Sequence, residues 1–363
     1  MSSESWAQLS NQFIYAAMAV YTLAMIAFAY DLAFAGLRGK RTDKADDAAD
    51  GDGVDVDVTD TNTQALVGVG ARAASGSTAD LDVVAAAGST SVRARRARRE
   101  SGRSDELPTR ESAARTKFGN IGFSLTVLAF GLHAIGVVSR GIAAERVPWG
   151  NMYEFAITAT LSVIGMYLLL ATKYDLRWLG VFVVTPVLLT LGLSVTVLYI
   201  DAGELVPALR SYWLVIHVSA AVVAFGLFTM ATLVSGLYLV KARYERSGAI
   251  SRTGFLDRIP SAAVLDKLAY RVVAFVFPLW TFAVIAGAIW AENAWGRYWG
   301  WDPKETWAFI TWVIYAGYLH ARATAGWKGR KAAIIGLVGY ASLIFNFVGV
   351  NIWLPGLHSY AGV

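Results

Sequence analysis

The stretch 270–291, with the sequence YRVVAFVFPLWTFAVIAGAIWA, is long and apolar enough to cross a lipid bilayer as a helix. About 20 residues suffice for a crossing, at about 1.5 Å per residue. Its only charged residue is Arg271. Seven other runs share this character, so the sequence predicts an all-α polytopic membrane protein with about eight transmembrane helices. The other runs are approximately 13–37, 118–138, 153–171, 178–200, 213–240, 307–321 and 332–350.

The composition supports a membrane protein and narrows its function. Hydrophobic residues make up 56% of the 363-residue chain and the mean hydropathy is +0.47, whereas soluble domains are about 45–50% apolar. The net charge of +5 fits attraction to anionic lipid and gives no reason to expect nucleic-acid binding. The chain has no cysteine, which excludes a structural disulfide or thiol-exchange chemistry of its own.

Lysine and arginine are distributed unevenly among the segments that connect the predicted spans. The segments after Leu37, Ala171, Val240 and Ala321 carry 14, 2, 6 and 4 of these residues, and none of the opposite segments carries more than 2. Positive residues near the ends of spans stay on the cytoplasmic side. The distribution therefore predicts that both termini and the loop after Ala291 face outward.

Residues 38–117 differ in composition from the rest of the chain. An Asp-rich run is followed by a stretch of Ala, Gly, Ser and Thr and then by an arginine cluster at 93–99. Such a segment cannot bury enough apolar surface to offset its chain entropy. We therefore expect an N-terminal transmembrane helix at 1–37, a disordered cytoplasmic linker at 38–117 and a seven-helix domain at 118–363. For the arginine cluster, contact with lipid headgroups is favoured over RNA or protein binding.

The loop after Ala291 is dominated by aromatic side chains, with the sequence WGRYWGWDPKETW at 295–307. Indole rings offer flat apolar faces, so several on one short segment form a platform for a large planar ligand. Arg297 and Lys304 are candidates to bind carboxylates at the edge of that ligand. An interfacial belt of aromatic residues is the alternative, but belts are normally scattered. The candidate platform residues are Trp295, Trp299, Trp301 and Trp307.

The sequence Asp302-Pro-Lys-Glu305 predicts the start of a helix at the end of this loop. Aspartate suits the N-cap, proline the first helical position and glutamate the third, as in a capping box. Free N–H groups at such a helix start also favour an anionic substituent of a ligand. We expect Asp302 to contribute both to the cap and to the ligand site, and Glu305 to be a cap rather than an acid catalyst.

All four histidines of the chain lie in or beside apolar segments, where an ionisable group is costly and is a functional candidate. His217 follows the start of an outward-starting span at Trp213, so at about 1.5 Å per residue it lies near the outer surface. His358 lies in the outward C-terminal tail. Both are within reach of one ligand on the tryptophan loop. Two neutral imidazoles on opposite faces of a flat ring are the axial geometry of a haem iron.

The other two histidines are predicted at different depths. His320 is seventeen residues after Pro303, which places it roughly 25 Å deeper and close to the cytoplasmic face. His133 belongs in the outer half of its helix by the same reasoning. His133 and His320 are therefore poorly placed to bind one ligand from opposite faces. If His320 is one of two axial imidazoles, the other should come from another polypeptide. For His133, a hydrogen bond to a neighbouring helix is an equally good explanation.

The tryptophan loop and its surroundings resemble a known family. WGRYWGWDPKETW resembles the WWD signature of haem-handling proteins, and residues 118–363 are similar to the CcsA/ResC family of cytochrome c biogenesis proteins. The first helix and the linker lie outside the resemblance. The resemblance implies a WWD domain on the outer face, with its loop at about 292–307. Proteins of this family form, with a ResB-type partner, a cytochrome c synthase that moves haem outward and joins its vinyl groups to Cys-x-x-Cys-His thiols of apocytochrome c.

The resemblance also implies roles for individual residues. His217 and His358 would be the external axial ligands of haem iron and His320 a transmembrane ligand, with the fourth ligand in the partner, whereas no role transfers to His133. It further implies haem b as a transient ligand and location in the bacterial plasma membrane with an extracytoplasmic functional face. The implied partners are a ResB-type membrane protein, apocytochrome c with reduced thiols and an upstream thiol-reducing protein.

Three other functions remain open from the sequence. An electron-transfer subunit of the cytochrome b type would keep haem as a permanent cofactor, with histidine pairs on shared helices at two depths. A haem exporter would release haem without attaching it to a protein. An assembly scaffold would bind no haem, and the purified protein would be colourless.

Overall fold

The computed structural model describes residues 2–49, 117–201, 211–248 and 254–358. In these ranges the chain forms long helices, and those of the bundle belong to one compact unit that includes the first helix as far as Ala35. The helices are α1 (Ser3–Ala49), α2 (Lys117–Ala143), α3 (Met152–Ala171), α4 (Gly180–Thr196), α5 (Tyr212–Arg246), α6 (Ala262–Trp295), α7 (Pro303–Ala323) and α8 (Arg330–Ile344). A π-helical segment, Phe345–Gly349, and a short α9, Val350–Trp353, follow α8 directly.

Each predicted span overlaps a helix, although α4 ends at Thr196 and the predicted span continued to 200. The prediction of an all-α polytopic membrane protein is confirmed. Among the described helices, seven are long and apolar enough to cross a membrane. The predicted span 307–321 lies within α7, which is not one of the seven although it has 21 residues. The reason is its polar ends, since α7 begins with Lys304 and Glu305 and ends near His320 and Arg322.

Several helices extend beyond the apolar runs that predicted them, because polar residues continue the helix past the apolar segment. α1 reaches Ala49 rather than Leu37, so residues 38–49 of the expected linker are helical. Residues 50–116 of that linker, with the arginine cluster at 93–99, lie outside the described residues.

α1 packs against α2 through close contacts. Ser10 Oγ donates to the carbonyl oxygen of Gly136 at 2.7 Å, and a Cβ added to Gly136 would lie 2.9 Å from Ile14. Deeper along the pair, Tyr21 Oη lies 3.4 Å from His133 Nδ1. Small residues let membrane helices approach closely, and polar side chains then form hydrogen bonds between them. The first helix is thus an integral part of the bundle, although it lies outside the family resemblance.

α5 lies at the centre of the bundle and packs against α3, α6 and α8. Ser162 Oγ of α3 donates to the carbonyl oxygen of Val222 at 3.0 Å. A Cβ added to Gly226 would lie only 2.8 Å from Ser162 Oγ. Farther along α5, Phe228 stacks on Tyr315 of α7 with ring centroids 4.1 Å apart. These contacts fix α5, and with it His217 in its second turn, against the surrounding helices.

The π-helical segment Phe345–Gly349 interrupts the end of the α8–α9 helix. A π-turn includes one extra residue, which rotates the residues that follow about the helix axis, and such turns are frequent at functional sites. Asn346, within this turn, and Asn351, just after it, both line the same cavity.

Candidate functional site

A large cavity lies among the N-terminal half of α5, the C-terminal half of α6, the start of α7, the π-helical segment and the tail after α9. It contains about 1240 Å³ of space not filled by protein atoms, its open mouth included. Its walls are mainly apolar and aromatic, and His217, His358 and Lys304 are among its few polar side chains.

His217 is held against α6 by a hydrogen bond and by a glycine. Its Nδ1 donates to the carbonyl oxygen of Ala283 at 2.7 Å. Because a carbonyl oxygen only accepts, Nδ1 carries the proton and Nε2 carries the lone pair. Gly287 makes room for the ring, since a Cβ at that position would lie 2.7 Å from His217 Cε1. α6 therefore fixes both the tautomer and the position of this imidazole.

His358 is held by Asp302, the N-cap of α7. The His358 Nδ1 lies 2.8 Å from Asp302 Oδ2, and the backbone N–H of Leu357 donates to Oδ1 at 2.7 Å. Gly356 permits this approach, because a Cβ there would lie 2.7 Å from Oδ1. Since a carboxylate only accepts, Nδ1 again carries the proton and Nε2 the lone pair.

The surroundings of this pair set its protonation. Burial lowers the pKa of His358 below its usual range, although the hydrogen bond to Asp302 acts in the opposite direction. Burial alone would raise the pKa of Asp302, but the hydrogen bonds from His358 and from the backbone N–H groups of Leu357 and Lys304 outweigh it and hold that pKa below its usual value. At neutral pH a neutral imidazole therefore donates to a carboxylate, an arrangement common behind metal-binding histidines.

Trp290 brings the two histidines together. Its ring is parallel to that of His217, with centroids 6.2 Å apart and an interplanar angle of 7°. It meets His358 edge-on at 5.7 Å, and Trp295 makes a further edge contact with His358 at 4.9 Å. The two imidazoles that the sequence paired thus lie on one cavity and beside one indole.

Lys304 lines the cavity from the first turn of α7. Its Nζ donates to Asn351 Oδ1 at 2.7 Å and lies 5.6 Å from the ring centroid of Phe347. No carboxylate in the described ranges forms an ion pair with it. Burial lowers the pKa of Lys304 to about 8, and the charge of Asp302 offsets this only in part. Its place here therefore favours a ligand with an anionic group.

Arg297, by contrast, stabilises the loop itself and does not line the cavity. Its Nη1 donates to Glu305 Oε1 at 2.9 Å. Glu305 Oε2 accepts from the backbone N–H groups of Gly300 at 2.8 Å and Asp302 at 3.1 Å. The capping box expected at this helix start is present. Both side chains are therefore used to shape the turn into α7.

The four tryptophans of the loop divide into two pairs. Trp295 and Trp299 line the cavity. Trp301 is 64% exposed, with a positive φ of 58°, and Trp307 packs on Phe345 with ring centroids 4.2 Å apart. Neither Trp301 nor Trp307 lines the cavity, so the aromatic wall differs from the expected platform of four loop indoles.

A buried charged cluster supports the rim of the cavity before α3. Glu154 and Arg140 are both fully buried, and Arg140 Nε donates to Glu154 Oε1 at 3.0 Å. The other carboxylate oxygen accepts from the backbone N–H of Gly150 at 2.9 Å. Charges at such depth must be paired. This pairing fixes residues 149–152, which form part of the wall.

The other two histidines lie elsewhere. His320 is exposed near the C-terminal end of α7, and His133 is fully buried in α2. Neither lines the cavity. The contact between His133 and Tyr21 agrees with the hydrogen-bonded alternative for this residue.

Several residues of the wall were not expected from the sequence. Trp280 and Trp290 line the cavity, but they belong to a long apolar run in which an indole gives no signal beyond that of a membrane anchor. Asn346 and Asn351 also line it. They stand out as amides within the last apolar run, and polar side chains inside membrane segments are a usable signal of function.

The chain is similar to known proteins over the region that forms the cavity. The family model described as cytochrome C assembly protein matches residues 149–358. The cytochrome c biogenesis protein CcsA of Trieres chinensis is 36% identical over 253 residues, which cover 61% of this chain and 80% of that protein. The CcsA proteins of Guillardia theta and Gloeobacter violaceus are 36% and 34% identical, covering 66% and 62% of this chain and 85% and 81% of their own lengths. The chain, with its helical bundle and its matched region extending from the cavity rim to His358, belongs to the cytochrome c assembly protein family.

Proposed function

We propose that this protein acts in cytochrome c biogenesis, where it binds haem as a substrate in the cavity and presents it to apocytochrome c. The observation that carries the proposal is the pair His217 and His358, each held through Nδ1 with its lone pair on Nε2, on one cavity. Neutral imidazole with this arrangement is the usual axial ligand of haem iron. The similar CcsA proteins are cytochrome c biogenesis proteins by name.

The remaining walls of the cavity fit the other parts of a haem. Trp290, Trp295 and Trp299 offer apolar indole surface to the porphyrin. Lys304 offers an ammonium to a propionate carboxylate. We infer that the substrate is haem b, since its two vinyl groups are the sites at which thioethers form.

The chemistry requires positioning rather than acid–base catalysis by this chain. Each thioether forms when a thiol adds across a vinyl double bond, with sulfur bonding to one carbon and the proton ending on the other, so no oxidant is needed. His217 and His358 fix the iron and thereby the vinyl edges, which lowers the entropic part of the barrier. The histidine of the Cys-x-x-Cys-His motif then replaces one imidazole, and the haem leaves with the cytochrome.

Partners supply what this chain lacks. It has no cysteine, so a separate thiol-reducing protein must keep the apocytochrome thiols reduced. His320 is exposed on α7, and we propose that it binds an inner haem together with an imidazole of a ResB-type membrane protein. The distribution of lysine and arginine supports a cavity on the outer side of the membrane, and we propose that this membrane is a bacterial plasma membrane.

The test is to change His217 and His358 together to glycine in the complex purified with its partner. We expect loss of the outer haem absorbance and of cytochrome c maturation, with partial recovery when free imidazole is supplied. His320→Gly in the chain purified alone is the matched control, and it should keep the outer haem spectrum.

Unchanged pigment and maturation in the double variant would contradict the proposal. A haem that stays with the protein after incubation with reduced apocytochrome c would instead favour an electron-transfer cytochrome. Release of free haem without any thioether product would favour an exporter.

A further inference from the structure

The two imidazoles of the cavity differ in the group that holds them. His217 donates to an uncharged backbone carbonyl, that of Ala283, whereas His358 donates to the carboxylate of Asp302. We infer that Asp302 is a positioning residue that makes His358 the stronger of the two iron ligands. The inference rests on the proposed function, because it concerns haem bound by these two histidines.

Asp302 acts through His358 and not on the ligand directly. It is 7% exposed and does not line the cavity. Its Oδ1 accepts from the backbone N–H of Leu357 at 2.7 Å and its Oδ2 from His358 Nδ1 at 2.8 Å. The backbone N–H of Lys304 donates to Oδ2 at 3.3 Å. One carboxylate thus joins the tail that carries His358 to the start of α7.

The charge of this acceptor changes the chemistry of the imidazole. A carboxylate that accepts from Nδ1–H raises the basicity of Nε2, and outer partners of this kind typically contribute about 10–100-fold to metal affinity. A more basic axial ligand stabilises ferric iron more than ferrous iron, so it lowers the reduction potential of the haem. A backbone carbonyl, as at His217, has a smaller effect because it carries no net charge.

The experiment compares Asp302→Asn with Asp266→Asn in the complex with its partner. Asparagine caps a helix about as well as aspartate. With its amide oxygen at the position of Oδ2, Asp302→Asn removes the charge and keeps the cap and the bond from His358, while the N–H of Leu357 loses its acceptor. Asp266 is a matched control, since its carboxylate pairs with Arg322 at the opposite end of α7. We expect Asp302→Asn to raise the reduction potential of the bound haem and to weaken its retention about tenfold. Asp266→Asn should leave both quantities unchanged.

Two further backgrounds separate this role from a structural one. In His358→Gly protein supplied with pyridine, which has no N–H to donate, adding Asp302→Asn should not shift the potential. In His217→Gly protein supplied with pyridine, it should shift the potential as in the unsubstituted complex. A shift in both backgrounds or in neither overturns the inference. A wild-type complex that holds no haem would instead contradict the proposed function.

Discussion

The two ends of α7 use charged residues in opposite ways. At the C-terminal end, Arg322 donates to both oxygens of Asp266 at 2.7 and 2.9 Å, and the backbone N–H of Gly329 donates to the same carboxylate at 3.1 Å. At the N-terminal end, Asp302 accepts a hydrogen bond from His358 Nδ1 at 2.8 Å. Lys304 lines the cavity and forms no ion pair with a carboxylate of the described ranges. Charges that satisfy one another stabilise a fold, whereas an unmatched charge beside a cavity indicates a ligand site.

The largest effect we expect is a loss of stability from a substitution at the C-terminal end of α7. Arg322→Met leaves the half-buried Asp266 carboxylate without its two-point partner, and losing two hydrogen bonds to a charged group costs about 3 kcal/mol. Thermal unfolding in detergent should show this loss, while haem binding at the cavity stays unchanged. Lys328→Met, at an exposed position nearby, is the control and should change stability by about 0.5 kcal/mol or less. A parallel loss of haem would show that the two ends are coupled.

The second effect concerns the cavity. Gly287→Ala places a Cβ 2.7 Å from His217 Cε1, so the imidazole must leave its position. Because displacement of a reacting group by about 1 Å can reduce a rate about 100-fold, we expect maturation of cytochrome c to fall by about that factor, with an altered haem absorbance spectrum. Gly236→Ala is a matched control in α5, since a Cβ there meets no atom within 4 Å. Equal activity of the two variants would rule out this role of Gly287.

The smallest effect tests the unmatched charge. Lys304→Gln keeps a hydrogen-bond donor near Asn351 and removes the ammonium, so we expect about tenfold weaker haem binding, within the range for a hydrogen bond to a charged group. Titration with haem whose propionates are esterified supplies the control. The wild-type protein should bind the ester less tightly than the acid, and the variant should bind both alike. A variant that still discriminates would place the propionate elsewhere.

The fold was predictable because the length of an apolar run is the physical requirement for a membrane helix. The prediction was weakest at α7, where Lys304 and Glu305 at one end and Arg322 at the other make the helix less apolar than its neighbours. The approach of His217 and His358 was also predictable in part, because the rise per residue gives the depth of a side chain in the membrane.

The lateral arrangement of the site was not predictable from the sequence. Which helix faces which depends on close contacts such as that between Gly287 and His217, and these leave no periodic pattern. The pairing of Asp302 with His358 joins residues far apart in the chain. Composition likewise identified the tryptophan loop but not which indoles turn inward, since Trp299 lines the cavity and Trp301 does not.

The π-helical segment Phe345–Gly349 has a consequence for how this chain tolerates insertions and deletions. Removing one residue there would restore α-helical spacing and leave the residues after it facing as they do now, because the wide turn absorbs one extra residue. If the same residues formed a regular α-helix with none removed, everything after them would turn by about 100° around the axis. Asn351, which now joins Lys304 Nζ at 2.7 Å to Met152 Sδ at 2.9 Å, would swing away from both. A homologue with a single-residue gap at this point can therefore keep the same cavity, whereas one with an unbroken α-helix of the same length cannot.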